Sequence, residues 1–331
     1  MFNIHITAIN TYLPAKRVST EEISKKINSP DTQISENVLI RLFGVKYRHI
    51  AANDEQVSDM AVAAALPIVE KEGRETIDLM IFAAASSDLI EPATANIIQQ
   101  KLNLTCPVFD VKNACNSVIT ALDIAKQYIG NGTYKKVLIV NGEKLSDSVQ
   151  YDFLNKEELG EHLAAYSFGD AGAALLVEPC PPDKGIMFQK IYSRGEYWKL
   201  CTIKGGGSMH PHDTSKLFFT GFTSELKDAF MKEFQRELVL SKDFIDVIFP
   251  RIKWVFTHQV SLSSFEAIAK TAGISTDKFI SVVEEFGNCA SASIPLAIQK
   301  AINNNQLKSG DDILIIGLGS GLALSITYMV W

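Results

Sequence analysis

The 331-residue chain has no uninterrupted apolar run of about 18 residues, the length a membrane helix needs, so no membrane span is expected. Cysteine is scarce. There are five, with no CxxC pair and no metal-ligand spacing. That argues against a disulfide framework and a metal site, and it fits a reducing, cytoplasmic setting. Basic charge is short too: 32 Lys and Arg stand against 38 Asp and Glu, a net charge of −6. A nucleic-acid binder would normally be basic, so that class is set aside. Any anionic partner needs a local basic patch. The first residues, Met1-Phe2-Asn3-Ile4-His5-Ile6-Thr7-Ala8-Ile9, lack a basic segment and alternate like a strand. They do not read as a secretory signal. No low-complexity segment is present.

What is present is an ordinary globular composition, 47% apolar and 21% charged. The length exceeds the usual ceiling for one core, so two domains or two fused halves are expected. The most informative segment is Asp110-Val111-Lys112-Asn113-Ala114-Cys115-Asn116-Ser117. An apolar strand-like run ends at Cys115, and a helical pattern starts there, with Val118, Ala121, Leu122, Ala125, Tyr128 and Ile129. A thiol at a helix N-terminus is expected to have a lowered pKa and a usable thiolate. Thr257-His258-Gln259 follows another apolar strand, and Phe286-Gly287-Asn288-Cys289 opens another helical pattern. Cys115, His258 and Asn288, each at the end of an element, suggest one shared site. The other cysteines, Cys106, Cys180, Cys201 and Cys289, read as small buried hydrophobes. His5, His49, His162, His210 and His212 carry no such context.

The chain reads as duplicated. Ile77-Asp78-Leu79-Met80-Ile81 falls on Ile252-Lys253-Trp254-Val255-Phe256 at an offset of 175 residues. Asn113-Ala114-Cys115 falls on Asn288-Cys289-Ala290 at the same offset, and Val137 falls on Ile313 at 176. The near-continuous apolar strands suggest sheets buried on both faces by helices, an α/β architecture. The proline cluster Pro179-Cys180-Pro181-Pro182-Asp183 marks a linker or turn, dividing the chain into 1–179 and 180–331. Gly317-x-Gly319-x-Gly321 leads into a strand pattern, not a helix, so it does not read as a dinucleotide fingerprint.

In order and spacing these segments resemble the thiolase-fold condensing enzymes, specifically the ketoacyl-ACP synthase III group. The resemblance covers essentially the whole chain. It is carried by Gly44 to Ala51, the Cys115 segment, Gly169-Asp170-Ala171-Gly172-Ala173, Gly205-Gly206-Gly207-Ser208, His258-Gln259, Gly287-Asn288 with Ser293-Ile294-Pro295, and the C-terminal glycine turn. It implies a duplicated five-layer α-β-α-β-α fold and a homodimer. It implies an acyltransferase in which Cys115 carries an acyl group and a Claisen condensation forms a C–C bond, in fatty acid or specialised lipid or polyketide biosynthesis. The N–H of Cys115 and one from Gly319-Ser320-Gly321 would hold the oxyanion. His258 and Asn288 would bind the carbonyl of a malonyl- or β-ketoacyl-type thioester. No metal or redox cofactor is implied; the substrates are acyl-CoA or acyl-carrier-protein thioesters.

The chain departs from that pattern where a partner would dock. Val38 and Leu42 stand where the family has a coenzyme A-stacking tryptophan and an arginine, and Ser261 and Ser263 replace an Asn and an Arg. The turn's middle glycine is Ser320. Lys270 matches a basic docking position, and Arg41, Lys46 and Arg48 are the remaining local cations. Gly207 and Ser208 join Arg41, Arg48 and Lys270 as substrate- or carrier-binding candidates. Glu91, before Pro92, is similar to the glutamate of long-chain acyl-CoA condensing enzymes of olefin biosynthesis, which enters the partner's site as a proposed base. Three activities follow: decarboxylative condensation, head-to-head joining of two long acyl thioesters with Glu91 as base, and acyl transfer from Cys115 to an oxygen or nitrogen nucleophile.

Overall fold

Two sheets of matching topology organise the chain in a computed structural model, which describes residues 3–30 and 32–331. The first sheet runs in the order Asn3–Tyr12, Ala171–Cys180, Val137–Glu143, Leu79–Ala83, Val108–Val111. The second runs Gly185–Ser193, Ala323–Val330, Asp312–Gly319, Trp254–Thr257. A parallel bridge from Val255 to Phe279 extends it at the fifth position. In both sheets the first two pairings in that order are antiparallel and the remaining ones parallel. Leu79 pairs with Val137, and Trp254 pairs with Ile313. The 175- and 176-residue offsets are therefore a register, not a coincidence of composition.

Every residue of Leu79–Ala83 and Val137–Glu143 is buried. That burial explains the unbroken apolar character of Leu79–Ala83 and of residues 137–140, since a strand covered on both faces has no side to turn to water. Helix Val57–Glu72 packs on the outer face of the first sheet through Ala61, Ala64, Met80 and Leu138. Helices Ser117–Gly130 and Ser293–Asn303 lie between the sheets, where Leu122 and Ala297 join Ile81, Ile139, Phe256 and Ile315. Helices Thr223–Leu240 and Leu262–Ala272 cover the far face of the second sheet through Phe234, Ile268 and Leu314. The layers are α-β-α-β-α. Each buried Leu, Ile or Phe side chain contributes about 1.5–3 kcal/mol, so the middle layer, apolar on both sides, holds the halves together.

Of the linker and the turn that the proline cluster allowed, the chain makes the turn. Strand Ala171–Cys180 runs through Pro179, and Lys184 N–H donates to Pro181 O at 3.1 Å as the chain reverses into Gly185–Ser193. Among the described residues no helix is long and apolar enough to cross a membrane.

Candidate active site

The chain leaves strand Val108–Val111 and turns sharply at Ala114, whose φ is +48°. Left-handed backbone at a residue with a Cβ costs of order 1–3 kcal/mol, and its neighbours must hold it. Asn113 N–H donates to Ser117 Oγ at 2.8 Å, and Ser117 Oγ donates to Ala114 O at 2.6 Å. The helix starts at Ser117, not at Cys115 as the sequence pattern suggested. Cys115 sits on the elbow just before it.

The thiol is not primed in the way the dipole argument predicted. Cys115 is half-buried and densely surrounded by protein. Desolvation pushes its thiol well up, and the neighbouring Cys201 thiol and Glu143 carboxylate push the same way. Its own main chain opposes them only weakly. The dipole's pull on a residue outside the helix is smaller than the cost of charging a sulfur away from water.

His258 follows strand Trp254–Thr257 and is 3% exposed. Its N–H donates to Ile316 O at 3.0 Å. Burial lowers the imidazole to about 4, against a smaller opposing influence from the Ala290 main chain, so the ring is neutral at physiological pH. Gln259 fixes the approach: its Nε2 donates to Ile280 O at 2.8 Å, and its Oε1 accepts from Val282 N at 2.7 Å. His258 Nδ1 is buried with no hydrogen-bond partner among the described residues.

Asn288 opens no helix. It lies in an extended bridge to Phe168, with its N–H on Ser167 O at 2.7 Å. A 3-10 turn follows at Ala290–Ala292, and the helix begins at Ser293. Asn288 Oδ1 accepts from Ala290 N at 3.0 Å. With the oxygen engaged, the amide presents its N–H groups.

The left-handed alanines correct the alignment of the halves. Ala290 has φ +42° and is the counterpart of Ala114, at an offset of 176 rather than 175. Cys115 therefore corresponds to Ser291, and Asn288 to Lys112. By strand register the counterpart of Ala83 is His258. Ser291 Oγ lies 3.4 Å from Ala83 O, the main-chain counterpart of His258. Ala290 ties the group together. It contacts His258, fixes the Asn288 amide, and belongs to the apolar cluster against which Cys115 packs. Gly317 and Gly319 close over the elbow. A Cβ on Gly317 would lie 2.0 Å from Asn116 Oδ1, and one on Gly319 would lie 2.9 Å from Asn113 O.

The remaining candidates scatter. Ser320 and Gly321 form the half-buried turn after Gly319, and burial drives the Cys201 thiol to about 12 against a smaller opposing influence from the Ser320 side chain. Cys201 is thus at the site, unlike Cys106, Cys180 and Cys289, which are core residues. Gly207 and Ser208 are exposed on the bend that follows strand Cys201–Ile203. Arg41 and Lys270 are exposed on helices Glu36–Phe43 and Leu262–Ala272, which pack together. Arg48 is a correction. It is 1% exposed, with Nη1 on Thr20 Oγ1 at 2.9 Å and Nη2 on Tyr166 O at 2.6 Å, so it meets no partner's phosphate or carboxylate. It points inward from strand Tyr47–Ile50, and burial lowers it to about 10. Glu91 is exposed beside Ile90, itself 86% exposed, on a loop that projects from the chain. The sequence reading missed Glu143, Asn141 and Ser291. All three are buried at the junction of the halves.

Residues 109–195 match the family described as 3-oxoacyl-(acyl-carrier-protein) synthase III, and residues 250–331 match its C-terminal part. A beta-ketoacyl-(acyl-carrier-protein) synthase III from Neisseria meningitidis is 34% identical over 328 residues, covering 96% of both chains. The chain belongs to the ketoacyl-ACP synthase III family. As a member it is an acyltransferase-class condensing enzyme with the thiolase-like fold. Two solved structures are similar to this chain. A 3-oxoacyl-(acyl-carrier-protein) synthase III from Aquifex aeolicus is 27% identical with TM-score 0.84, covering 99% of this chain and 100% of that one. A variant of OleA from Xanthomonas campestris is 27% identical with TM-score 0.87, covering 100% and 98%. In this synthase Asn288 bridges to Phe168 of the other half, and Ala290 beside it shares an apolar cluster with Cys115.

Proposed function

We propose that this synthase joins an acyl group held on Cys115 to a malonyl- or β-ketoacyl-type thioester, with His258 and Asn288 as the enolate site. The observation that carries this reading is the pairing of a neutral, buried imidazole with an amide whose oxygen is already engaged. With its one proton on the nitrogen that faces the substrate, the imidazole donates, as the amide does, and donors are what an enolate oxygen needs. Cys115 Sγ attacks the acyl thioester carbonyl. The C–S bond to the carrier breaks, and the thiol proton passes to the leaving thiolate, relayed by His258. The Cys115 N–H and the Gly319-Ser320-Gly321 turn stabilise the oxyanion. The extender's carboxylate leaves as CO2, and its bonding pair becomes the enolate. The enolate carbon attacks the acyl carbonyl and expels Cys115 as thiolate, which takes up a proton. No step calls on a metal or redox cofactor.

The reading includes a cytoplasmic homodimer, thioesters delivered on coenzyme A or an acyl carrier protein, docking near Arg41 and Lys270, and halves divided as 1–179 and 180–331. It serves fatty acid or specialised lipid synthesis. A second version, head-to-head joining of two acyl thioesters, is favoured by the exposed Leu89-Ile90-Glu91 loop, which would place Glu91 in the partner's site as base. Acyl transfer to an oxygen or nitrogen nucleophile has no use for an enolate site and ranks third. Intact-protein mass spectrometry tests the reading. A panel of acyl-CoA and acyl-carrier thioesters is expected to add mass at Cys115, absent in Cys115→Ala, and malonyl-thioester is expected to discharge it as a β-keto product. Discharge only by an alcohol or amine would make the protein a transferase and end the condensing reading.

A further inference from the structure

The duplicated fold contains two elbows, and their surroundings differ. The strand counterparts of Gly317 and Gly319, which pack without side chains against Asn116 and Asn113 at the Cys115 elbow, are Asn141 and Glu143, whose side chains bond the Ser291 elbow. Ser291 Oγ donates to Glu143 Oε1 at 2.7 Å, and Asn141 Nδ2 donates to Ser291 Oγ at 2.8 Å and to Ala83 O at 2.7 Å. Glu143 also accepts from Ala85 N at 3.0 Å and Ser86 N at 3.1 Å. The carboxylate is wholly buried and has no cation within salt-bridge distance among the described residues. A buried charge held only by hydrogen bonds is costly, and its donors come from both halves. Ser86 opens the loop to Glu91. Ser291 follows Ala290, whose N–H orients the Asn288 amide.

We propose that Glu143 is a positioning residue of the condensing step: through Ser291 it fixes the backbone that aims Asn288. This rests on the proposed role of Asn288. A carboxylate suits the place because it only accepts, and every neighbour bonded to it donates. Glutamine of the same shape turns an N–H2 group onto one of those donors. The first half-reaction, acylation of Cys115, does not use Asn288, whereas the second does.

The experiment uses full-length Glu143→Gln and the milder Ser291→Ala. Three quantities are read: Cys115 acylation by mass spectrometry, steady-state release of β-keto product, and hydrogen exchange at residues 84–93 and 286–293. The expected result for Ser291→Ala, which keeps the Glu143 carboxylate near Cys115, is acylation within about twofold of the parent, with kcat for product lowered about tenfold or more at little-changed KM, the size of one misplaced hydrogen bond; Glu143→Gln is expected to lower kcat for product to a similar extent. Exchange at 286–293 is expected to quicken in both variants. A merely structural role would slow both half-reactions together. Parallel loss, or no loss in either variant, overturns the proposal. If Glu143→Gln does not fold, Ser291→Ala decides by the same split. Parent enzyme that acylates but makes no C–C product overturns the role of Asn288, and that is visible before any variant is made. Unchanged exchange at 286–293 overturns the positioning itself, whatever the activity.

Discussion

At the scale of single residues, protonation is set by burial. Cys115 is pushed up and His258 down, so the resting pair is thiol and neutral imidazole, not thiolate and imidazolium. Alkylation of Cys115 by iodoacetamide is therefore expected to keep accelerating up to about pH 9, because only the thiolate reacts. A plateau below about pH 8, read by peptide mass, would contradict the raised thiol. His258 also couples folding to pH. Its folded value, about 4, lies below the ordinary 6.5, so the unfolded chain binds the extra proton between them. Stability is full above about pH 6.5 and falls toward pH 4, by about 3 kcal/mol from this group. Urea melts at several pH values would test this, with His258→Gln expected to flatten that part of the slope. The three central residues were legible in sequence because each ends an apolar run in a recognisable motif. Their protonation was not, since it depends on neighbours such as Cys201 and Glu143 that are distant in sequence.

At the scale of elements, the middle helical layer is decisive. Phe256 is completely buried in it from the second sheet. Phe256→Ala is expected to cost about 3–5 kcal/mol, seen as a lowered urea midpoint. A loss under about 1 kcal/mol would mean the layers are less interlocked than their packing indicates. The strands of this core were readable from unbroken apolar runs. Helix starts were less so. Cys115 and Asn288 each precede a helix by a short turn built on a left-handed alanine, and alanine carries no sequence signal for positive φ. Arg48 was legible and was misread. Its strand alternates, Tyr47 exposed and Arg48 buried, and the period-two pattern places the arginine inward.

For the whole molecule, the exposed Leu89-Ile90-Glu91 loop is the feature that a single chain leaves unexplained. In the proposed homodimer it enters the partner's site. Light scattering is expected to give twice the chain mass. Glu91→Ala is expected to leave malonyl-dependent turnover within about twofold while lowering condensation of two acyl thioesters about tenfold or more. Equal turnover of parent and variant with every substrate pair would remove Glu91 from the mechanism.

The sequence by itself determined the α/β layers, the duplication and the family, because periodicity, spacing and motif order are properties of a line. Only the tertiary structure decided that Arg48 is internal, that the Cys115 thiol rests protonated, and which of the two elbows is bonded to a buried carboxylate. Those outcomes depend on desolvation and on contacts such as Glu143 with Ser291, 148 residues apart. Burial and close approach arise only when the halves fold against each other.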